Sequence, residues 1–221
     1  MKILIKFPTR GRKFKFFNVL NTYHNLCDDI ENVKFLITLD CDDEEMNSPD
    51  IIEILKTFKN TEFIYGNSKS KVDAVNRDLE SYQDWDILLL ASDDMVPQIK
   101  GYDNIIRDNM KENYPDTDGV LWFNDGYQNN NLNTLCILGK KYYDRFNYIY
   151  NPEYKSTWCD NEFMDVANIL KKQKYFNKVI IKHQHPDWGF GNRDVIHQEN
   201  VVNVNYDKNI YLKNKLTNFG L

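Results

Sequence analysis

Two acidic clusters follow apolar runs in this chain, and their carboxylates have the residue types and spacing that metal or nucleotide chemistry requires. Asp40 lies in LDCDDEE, and the adjacent Asp93 and Asp94 lie in ASDDM. Two adjacent carboxylates after a buried strand can share Mg²⁺ or Mn²⁺, which bind through one or two carboxylates plus substrate phosphates. The alternative for ASDDM is a solvated turn or a helix cap, and the alternative for LDCDDEE is a solvated acidic loop.

Two histidines near the end of the chain are a second candidate for metal ligation. His183 and His185 in KVIIKHQH are separated by one residue, so on a strand their side chains share one face. A histidine on a strand is more often structural, but imidazole is also a common metal ligand. With the acidic pair upstream, the two histidines predict a metal site, in which we prefer His185 because it ends the strand before Pro186.

The elements that position these residues follow from apolar periodicity. Short apolar runs predict strands, and three- and four-residue spacing predicts helices. The predicted strands are residues 2–7, 33–39, 62–66, 86–92, 119–125 and 178–185, with strand and turn signals in 135–146. The predicted helices are residues 13–27, a short helix starting near Ser48–Asp50, 70–82, 99–113 and 160–172. The tail from about residue 186 is mixed and polar.

Strands that alternate with helices predict an α/β domain with a mostly parallel central sheet flanked by helices. The run DILLLAS is the most apolar, so we expect it at the centre of the sheet. Ligands of open α/β sheets bind beyond the carboxyl ends of the strands. Since both acidic clusters lie at such ends, we expect them to line one crevice.

Composition limits the class of protein. The chain has 221 residues, which fits a single domain, and its net charge of −5 argues against a surface that binds polyanions as a whole. The four cysteines form no CxxC pair, so we expect reduced thiols and no zinc knuckle. The N-terminal apolar run is too short for a signal peptide, and no run approaches a membrane span. We therefore expect a cytoplasmic protein of a bacterium or a virus-infected cell.

The order of six motifs resembles that of GT-A glycosyltransferases of the family 2-like kind. The resemblance covers roughly residues 2–190, and its motifs are PTRGR, LDCDD, SKVDAVNRDL, ILLLASDDMVP, WCDNEF and IIKHQHPDW. It implies a Rossmann-like GT-A domain with a nucleotide-binding half (1–97), an acceptor-binding half (98–190) and a C-terminal tail (191–221). The family often has Asp-Ala-Asp-Asp where this chain has Ala-Ser-Asp-Asp at 91–94, so the leading Asp that would contact the ribose is absent.

The resemblance also implies roles for individual residues. Asp160 is the expected catalytic base, with Glu162 as its near competitor and an ordinary first-turn helix acid as the structural alternative. The donor-binding residues implied are Pro8, Thr9, Arg10, Asp40, Lys71, Asn76, Ser92 and Asp93. The implied metal ligands are Asp93, Asp94, His183 and His185, and the implied acceptor-binding residues are Trp158 and Trp188. A structural hydrogen bond is the alternative for Asn76, and a core position is the alternative for Trp158.

The expected function is transfer of a sugar from a nucleotide-sugar donor, UDP by the family default, to an acceptor hydroxyl, with inversion and with Mn²⁺ or Mg²⁺. The alternatives are a nucleotidyltransferase and a non-catalytic nucleotide- or carbohydrate-binding module of the same fold. A single glycine in PTRGRK weighs against the first, and intact WCDNEF and HQH segments weigh against the second. The acceptor stays open among a glycan, a lipid-linked sugar, a protein and a modified DNA base.

Overall fold

The computed structural model describes residues 1–185, 189 and 202–221. Trp188, together with Asp187 and Gly191 of the glycine-containing segment, lies outside these residues. None of the helices in the described part of the chain combines the length and the apolar character that crossing a bilayer requires.

Within the described residues, seven strands form one mostly parallel sheet in the order β3-β2-β1-β4-β7-β6-β8. The strands are β1 (Ile3–Pro8), β2 (Val33–Asp40), β3 (Thr61–Gly66), β4 (Ile87–Leu90), β6 (Val120–Phe123), β7 (Ile137–Gly139) and β8 (Gln173–Phe176). Only β7 runs antiparallel to its neighbours β4 and β6. The predicted central position of the DILLLAS run is confirmed, because β4 is the fourth of the seven strands.

Helices cover both faces of this sheet. They are α1 (Lys13–Leu26), α2 (Pro49–Lys56), α3 (Lys71–Asn76), α4 (Tyr102–Asn113), α5 (Lys140–Tyr143), α6 (Cys159–Ile169) and α7 (Val204–Leu216). Successive strand residues point to opposite faces, so β1 gives Ile3, Ile5 and Phe7 to the core that contains α1 and α4. Leu4 of the same strand belongs to the opposite core, with residues of α3 and α6. The predicted α/β architecture with a mostly parallel sheet is confirmed.

A separate two-stranded antiparallel sheet joins β5 (Met95–Pro97) to β9 (Ile181–His183). The sequence predicted a strand at 178–185 but not its short partner. In this sheet Met95 lies opposite His183, which brings the end of ASDDM to the end of the histidine segment.

One predicted boundary was wrong, and two elements were not predicted. The helix predicted at 70–82 ends at Asn76, and Asp78 adopts a left-handed conformation with φ of 69° before a short 3₁₀ turn. The tail predicted as mixed and polar contains α7, and β8 lies in a segment where no strand was predicted. Each of these features depends on contacts that are distant in sequence.

Candidate functional site

A cleft of about 890 Å³ opens at the carboxyl ends of β1, β2 and β4. The residues that follow these strands line it, as the position of ligands in open α/β sheets predicts. Of the predicted site residues, the cleft brings together Pro8, Thr9, Arg10, Asp40, Lys71, Ser92, Asp93, Asp94, Trp158, Asp160, His183 and His185. Asn76 and Glu162 do not line this cleft.

The end of β2 forms one wall of the cleft, and its acidic residues differ in environment. Asp40 is buried and accepts hydrogen bonds from the Ser68 backbone N–H at 3.0 Å, the Ser68 hydroxyl at 2.6 Å and the Arg10 guanidinium at 3.1 Å. Asp42, whose side chain is 68% exposed, forms a second ion pair with Arg10 at 2.6 Å. Asp40 is therefore a fixed acceptor within the cleft, whereas Asp42 belongs to a solvated rim.

A close approach behind this wall depends on a glycine. A Cβ atom on Gly66, the last residue of β3, would lie 2.0 Å from a guanidinium nitrogen of Arg77. Because Gly66 has no side chain, Arg77 can cross the end of the sheet, donate to the Leu39 carbonyl and approach Asp40 to 3.9 Å. The wall formed by the end of β2 is thus supported by the Arg77 cation behind it.

The two acids of ASDDM have different partners. Asp93 is buried and contacts the Arg12 guanidinium at 2.9 Å; burial raises its pKa, and the Arg12 charge opposes that rise. Burial would also raise the pKa of Asp94, but hydrogen bonds from His183 and Ser92 outweigh it, so the pKa of Asp94 lies below its ordinary value. Asp94 is therefore an ionised carboxylate in the cleft.

The β5–β9 sheet places His183 against Asp94. The Asp94 carbonyl accepts a hydrogen bond from the Gln184 backbone N–H at 2.7 Å, and the His183 Nε2 atom lies 3.5 Å from an Asp94 carboxylate oxygen. The ring of His185 lies with its centroid 5.7 Å from that of His183. Backbone pairing thus holds one carboxylate and one imidazole at the same edge of the cleft.

This donor set fits a divalent cation that shares its coordination with a substrate. In the described part of the chain, no group of three His, Cys, Asp or Glu side chains is arranged to enclose a metal ion by itself. Mg²⁺ and Mn²⁺ sites commonly use one or two carboxylates plus substrate phosphates and water. Asp94 with His183 supplies such a partial set, and the remaining positions would fall to a diphosphate and solvent.

Helix α3 contributes Lys71 to the cleft and uses Asn76 elsewhere. The hydroxyl of Ser70 caps the helix by accepting the Asp73 N–H at 3.1 Å, which fixes the first turn that carries Lys71. At the other end, the Asn76 amide donates to the Tyr150 carbonyl at 2.6 Å and accepts the Ile149 N–H at 2.9 Å. The observed contacts of Asn76 are therefore those of its structural alternative.

The first turn of α6 carries the two acids proposed for catalysis. Asp160 lines the cleft; burial raises its pKa, and the nearby Lys71 charge opposes that rise. Glu162 is 5% exposed and accepts hydrogen bonds from Tyr154 at 2.6 Å, Asn151 at 2.8 Å and Asn214 at 3.1 Å. The Glu162 carboxylate is bound by these three neighbours and does not line the cleft. Of the two acids, Asp160 is the one that faces the space where a substrate would bind.

Trp158 precedes α6 in an unusual backbone conformation. Its φ is 60°, in the left-handed region that bulky L-residues seldom adopt, and such strain is held by surrounding contacts. The indole lines the cleft, and its ring centroid lies 5.1 Å from that of Tyr211 on α7. Trp158 thus has both the exposure of a ligand contact and the packing of a structural residue.

Several cleft residues were not predicted from the sequence. They include Arg12, Gln128, Leu132, Thr134, the loop 155–157, Asn203 and Val204. Arg12 carried a signal, since it is the last residue of the PTRGR motif and belongs to the overlapping basic segment RGRKFK. The others come from loops and from α7, where tertiary packing rather than a motif brings them to the cleft.

Comparison with solved structures shows which fold this is. The chain matches residues 1–349 of TarS from S. aureus with a TM-score of 0.66 and 15% identity, covering 82% of this chain and 60% of that one. It matches the mannosyltransferase PcManGT from Pyrobaculum calidifontis, in complex with GDP-Man and Mn²⁺, with a TM-score of 0.68 and 10% identity, covering 86% and 58%. TarS has also been solved in complex with UDP-GlcNAc.

The fold is therefore the GT-A fold of glycosyltransferases, as the order of the motifs predicted. The chain spans about 60% of the length of these solved proteins. No family model matches the chain, and no curated protein matches it.

Proposed function

We propose that this protein is a metal-dependent glycosyltransferase that uses a nucleotide-sugar donor, with UDP as the nucleotide that the resemblance implies. The observation that supports this most is that one cleft contains the fixed acceptor Asp40, the carboxylate–imidazole pair of Asp94 and His183, and a further carboxylate at Asp160. The complexes of TarS with UDP-GlcNAc and of PcManGT with GDP-Man and Mn²⁺ are consistent with this class of donor.

The donor would lie along the ends of β1, β2 and β4. Asp40, whose position Ser68 and Arg10 fix, would accept hydrogen bonds from the base or the ribose. Pro8, Thr9 and Arg10 would border the nucleoside, while Ser92 and Asp93 would lie toward the ribose and diphosphate. Lys71 and Arg12 add positive charge near the diphosphate, and Arg12 already balances Asp93.

Asp94 and His183 would hold Mn²⁺ or Mg²⁺, with His185 as a further candidate ligand at the same edge. A divalent cation bound there would stabilise the negative charge of the diphosphate leaving group. The ionised state of Asp94 suits this role, because a carboxylate must be deprotonated to bind a cation.

Asp160 would take the proton from the acceptor hydroxyl as its oxygen attacks the anomeric carbon. A base on the face opposite the leaving diphosphate gives transfer with inversion. Its pKa is raised by burial, which makes the carboxylate a stronger base than an exposed aspartate. Trp158, next to Asp160 in sequence and in the cleft, would pack against the acceptor, and Trp188 keeps the same predicted role outside the described residues.

A thermal-shift panel tests the proposed donor site. We would measure melting of the wild type and of Asp94→Asn with UDP, GDP, ADP, CMP and TDP, each with and without Mn²⁺. A ligand that binds only the native state raises the melting temperature, by an amount equivalent to about 2.7 kcal/mol at a hundredfold excess over Kd. Stabilisation by one nucleotide that needs Mn²⁺ and is lost in Asp94→Asn is the expected result.

Turnover then separates the proposed enzyme from its alternatives. Release of the nucleoside diphosphate from the matching nucleotide sugar supports a glycosyltransferase, whereas release of pyrophosphate from the matching nucleoside triphosphate and a sugar 1-phosphate indicates a nucleotidyltransferase. Binding without turnover indicates a non-catalytic module. If no nucleotide changes the melting temperature, the proposed donor site is wrong.

A further inference from the structure

A buried carboxylate on α7 binds the backbone of the loop that precedes Asp160. Asp207 is fully buried, and its two oxygens accept the consecutive backbone N–H groups of Lys155, Ser156 and Thr157, each at 2.9 Å. The Thr157 hydroxyl adds a fourth hydrogen bond at 3.2 Å. Consecutive N–H groups that converge on one anion form a charge-assisted arrangement, which is stronger than hydrogen bonds between neutral groups.

The loop held by Asp207, residues 155–157, lies between two residues of the proposed active site. The Lys155 carbonyl accepts the backbone N–H of Val72 at 3.0 Å, which ties the loop to the helix start that carries Lys71. On its other side, the chain passes through the left-handed Trp158 and enters α6, where Asp160 is the second residue. All residues from Lys155 to Asp160 line the cleft.

The chemistry of this contact favours orientation over simple docking of a helix. Burying a carboxylate is costly, and an apolar residue of similar size would dock a helix at least as well. The carboxylate has a consequence that an apolar residue lacks, because its oxygens fix the direction of three peptide groups. Loss of such order near reacting atoms is expensive, since a displacement of about 1 Å can lower a rate by about a hundredfold.

We infer that Asp207 is a positioning residue: through loop 155–157, it holds the Asp160 carboxylate and the Lys71 helix start in place at the cleft. This inference rests on the proposed function for the roles of Asp160 and Lys71. The C-terminal helix therefore belongs to the active site through the backbone that it orders.

The chain offers a matched control for this inference. Asp165 on α6 also joins α6 to α7, because its carboxylate accepts the Tyr211 hydroxyl at 2.7 Å and the Lys215 ammonium at 3.0 Å. Neither Asp165 nor these two partners line the cleft. Asp207→Asn and Asp165→Asn thus make the same chemical change at two carboxylates in contacts of α7, but only Asp207 contacts the loop. In Asp207→Asn, the amide nitrogen would face backbone N–H groups that need an acceptor.

Two measurements on the full-length wild type and both variants test the inference. The first is residue-resolved amide hydrogen exchange at residues 155–157 by NMR. The second is kcat and donor KM for the nucleotide sugar that the binding panel identifies, with water as acceptor where no other is known. We expect Asp207→Asn to exchange at least about tenfold faster at the loop and to lose about 10- to 100-fold in kcat, with a smaller rise, within about tenfold, in donor KM because the same loop holds the helix start of Lys71. We expect neither change in Asp165→Asn.

Equal losses of kcat in the two variants, or unchanged exchange at the loop in Asp207→Asn, would overturn the inference and leave Asp207 as a helix-docking residue. If Asp207→Asn does not fold, Asp207→Ser provides a smaller variant with one remaining acceptor for the same comparison. If the wild type turns over no nucleotide sugar, the proposed function fails. The exchange data alone then decide whether Asp207 orders the loop, with a selective increase supporting it and no increase contradicting it.

Discussion

At the scale of single residues, two acids of one helical turn have opposite surroundings. Asp160 faces the cleft, whereas Glu162 is occupied by Tyr154, Asn151 and Asn214. The resemblance at WCDNEF favours Asp160 as the base with Glu162 as its competitor. The structure distinguishes the two, because residues of the segment just before α6 and of α7 enclose Glu162.

We predict that Asp160→Asn lowers kcat by about 10²- to 10⁴-fold with little change in donor KM, because the variant keeps the shape of the side chain but cannot accept a proton. Glu162→Gln is the matched control and should retain kcat within a few-fold. Because burial raises the pKa of Asp160, the acid limb of the wild-type kcat profile should lie at a higher pH than the ordinary pKa of aspartate, about 3.9. Activity should fall as the pH decreases through this limb.

Steady-state kinetics of the three proteins across pH check this prediction. Normal turnover by Asp160→Asn would show that another group is the base. A loss in Glu162→Gln as large as that in Asp160→Asn would instead indicate that the whole α6 turn, rather than one carboxylate, has been disturbed.

At the scale of elements, the sequence predicted those that depend on local pattern. The strands β1 to β4 and the helix α1 lie close to their predicted ranges, since each has its own apolar periodicity. Helix α7 was missed because its buried face contains Asp207 beside Tyr211, so a carboxylate interrupts the apolar pattern. The pairing of β5 with β9 was also missed, although it is what brings His183 to Asp94. The sequence therefore predicted which residues line the candidate site, but it did not predict α7 or the β5–β9 pairing, which hold some of those residues in place.

The end of α3 shows how distant contacts set an element boundary. Asn76 binds the backbone of Ile149 and Tyr150, and the ammonium of Lys6 donates to the Arg77 carbonyl at 2.6 Å. The Lys6 contact uses the Arg77 carbonyl, which a continuing helix would need as an acceptor, and the helix ends before it although the sequence pattern extends further. Asn76 thus joins the end of α3 to the loop that contains Ile149 and Tyr150.

We predict that Asn76→Ala destabilises the protein by about 2 kcal/mol. The substitution removes the side-chain donor to the Tyr150 carbonyl and the side-chain acceptor of the Ile149 N–H, and it leaves these partly buried backbone groups without those partners. Asn76→Asp keeps the acceptor for the Ile149 N–H but places a carboxylate oxygen against the Tyr150 carbonyl, so it should destabilise the protein at least as much. Urea denaturation gives the free energies of unfolding, and donor KM at a temperature where all variants are folded gives the second readout. An unchanged stability with a greatly raised donor KM would contradict the structural role and favour donor binding by Asn76.

At the scale of the whole molecule, the sheet separates two apolar cores but contains one buried cation. Lys6 of β1 is fully buried, and its ammonium contacts Thr38, the Arg77 carbonyl and, at 3.9 Å, Asp78. Burial lowers its pKa from 10.5 to about 7, and the Asp78 charge opposes this change. The protonation state of one side chain beneath the cleft therefore contributes to the stability of the entire fold.

This coupling predicts a dependence of stability on pH. Between about pH 7 and 10.5, Lys6 is largely neutral in the folded protein but protonated in the unfolded chain, so the unfolded state binds more protons. The contribution of Lys6 to the free energy of unfolding should then rise with pH, by at most about 1.4 kcal/mol per pH unit. Below about pH 7 Lys6 is protonated in both the folded and the unfolded state, so its contribution should be constant and at its least favourable.

Urea denaturation of the wild type and Lys6→Met at several pH values isolates the contribution of Lys6, because the other titrating groups largely cancel in the difference. A stability difference between the two proteins that stays constant above pH 7 would show that buried Lys6 keeps its proton, and that Asp78 compensates its charge more fully than burial opposes it.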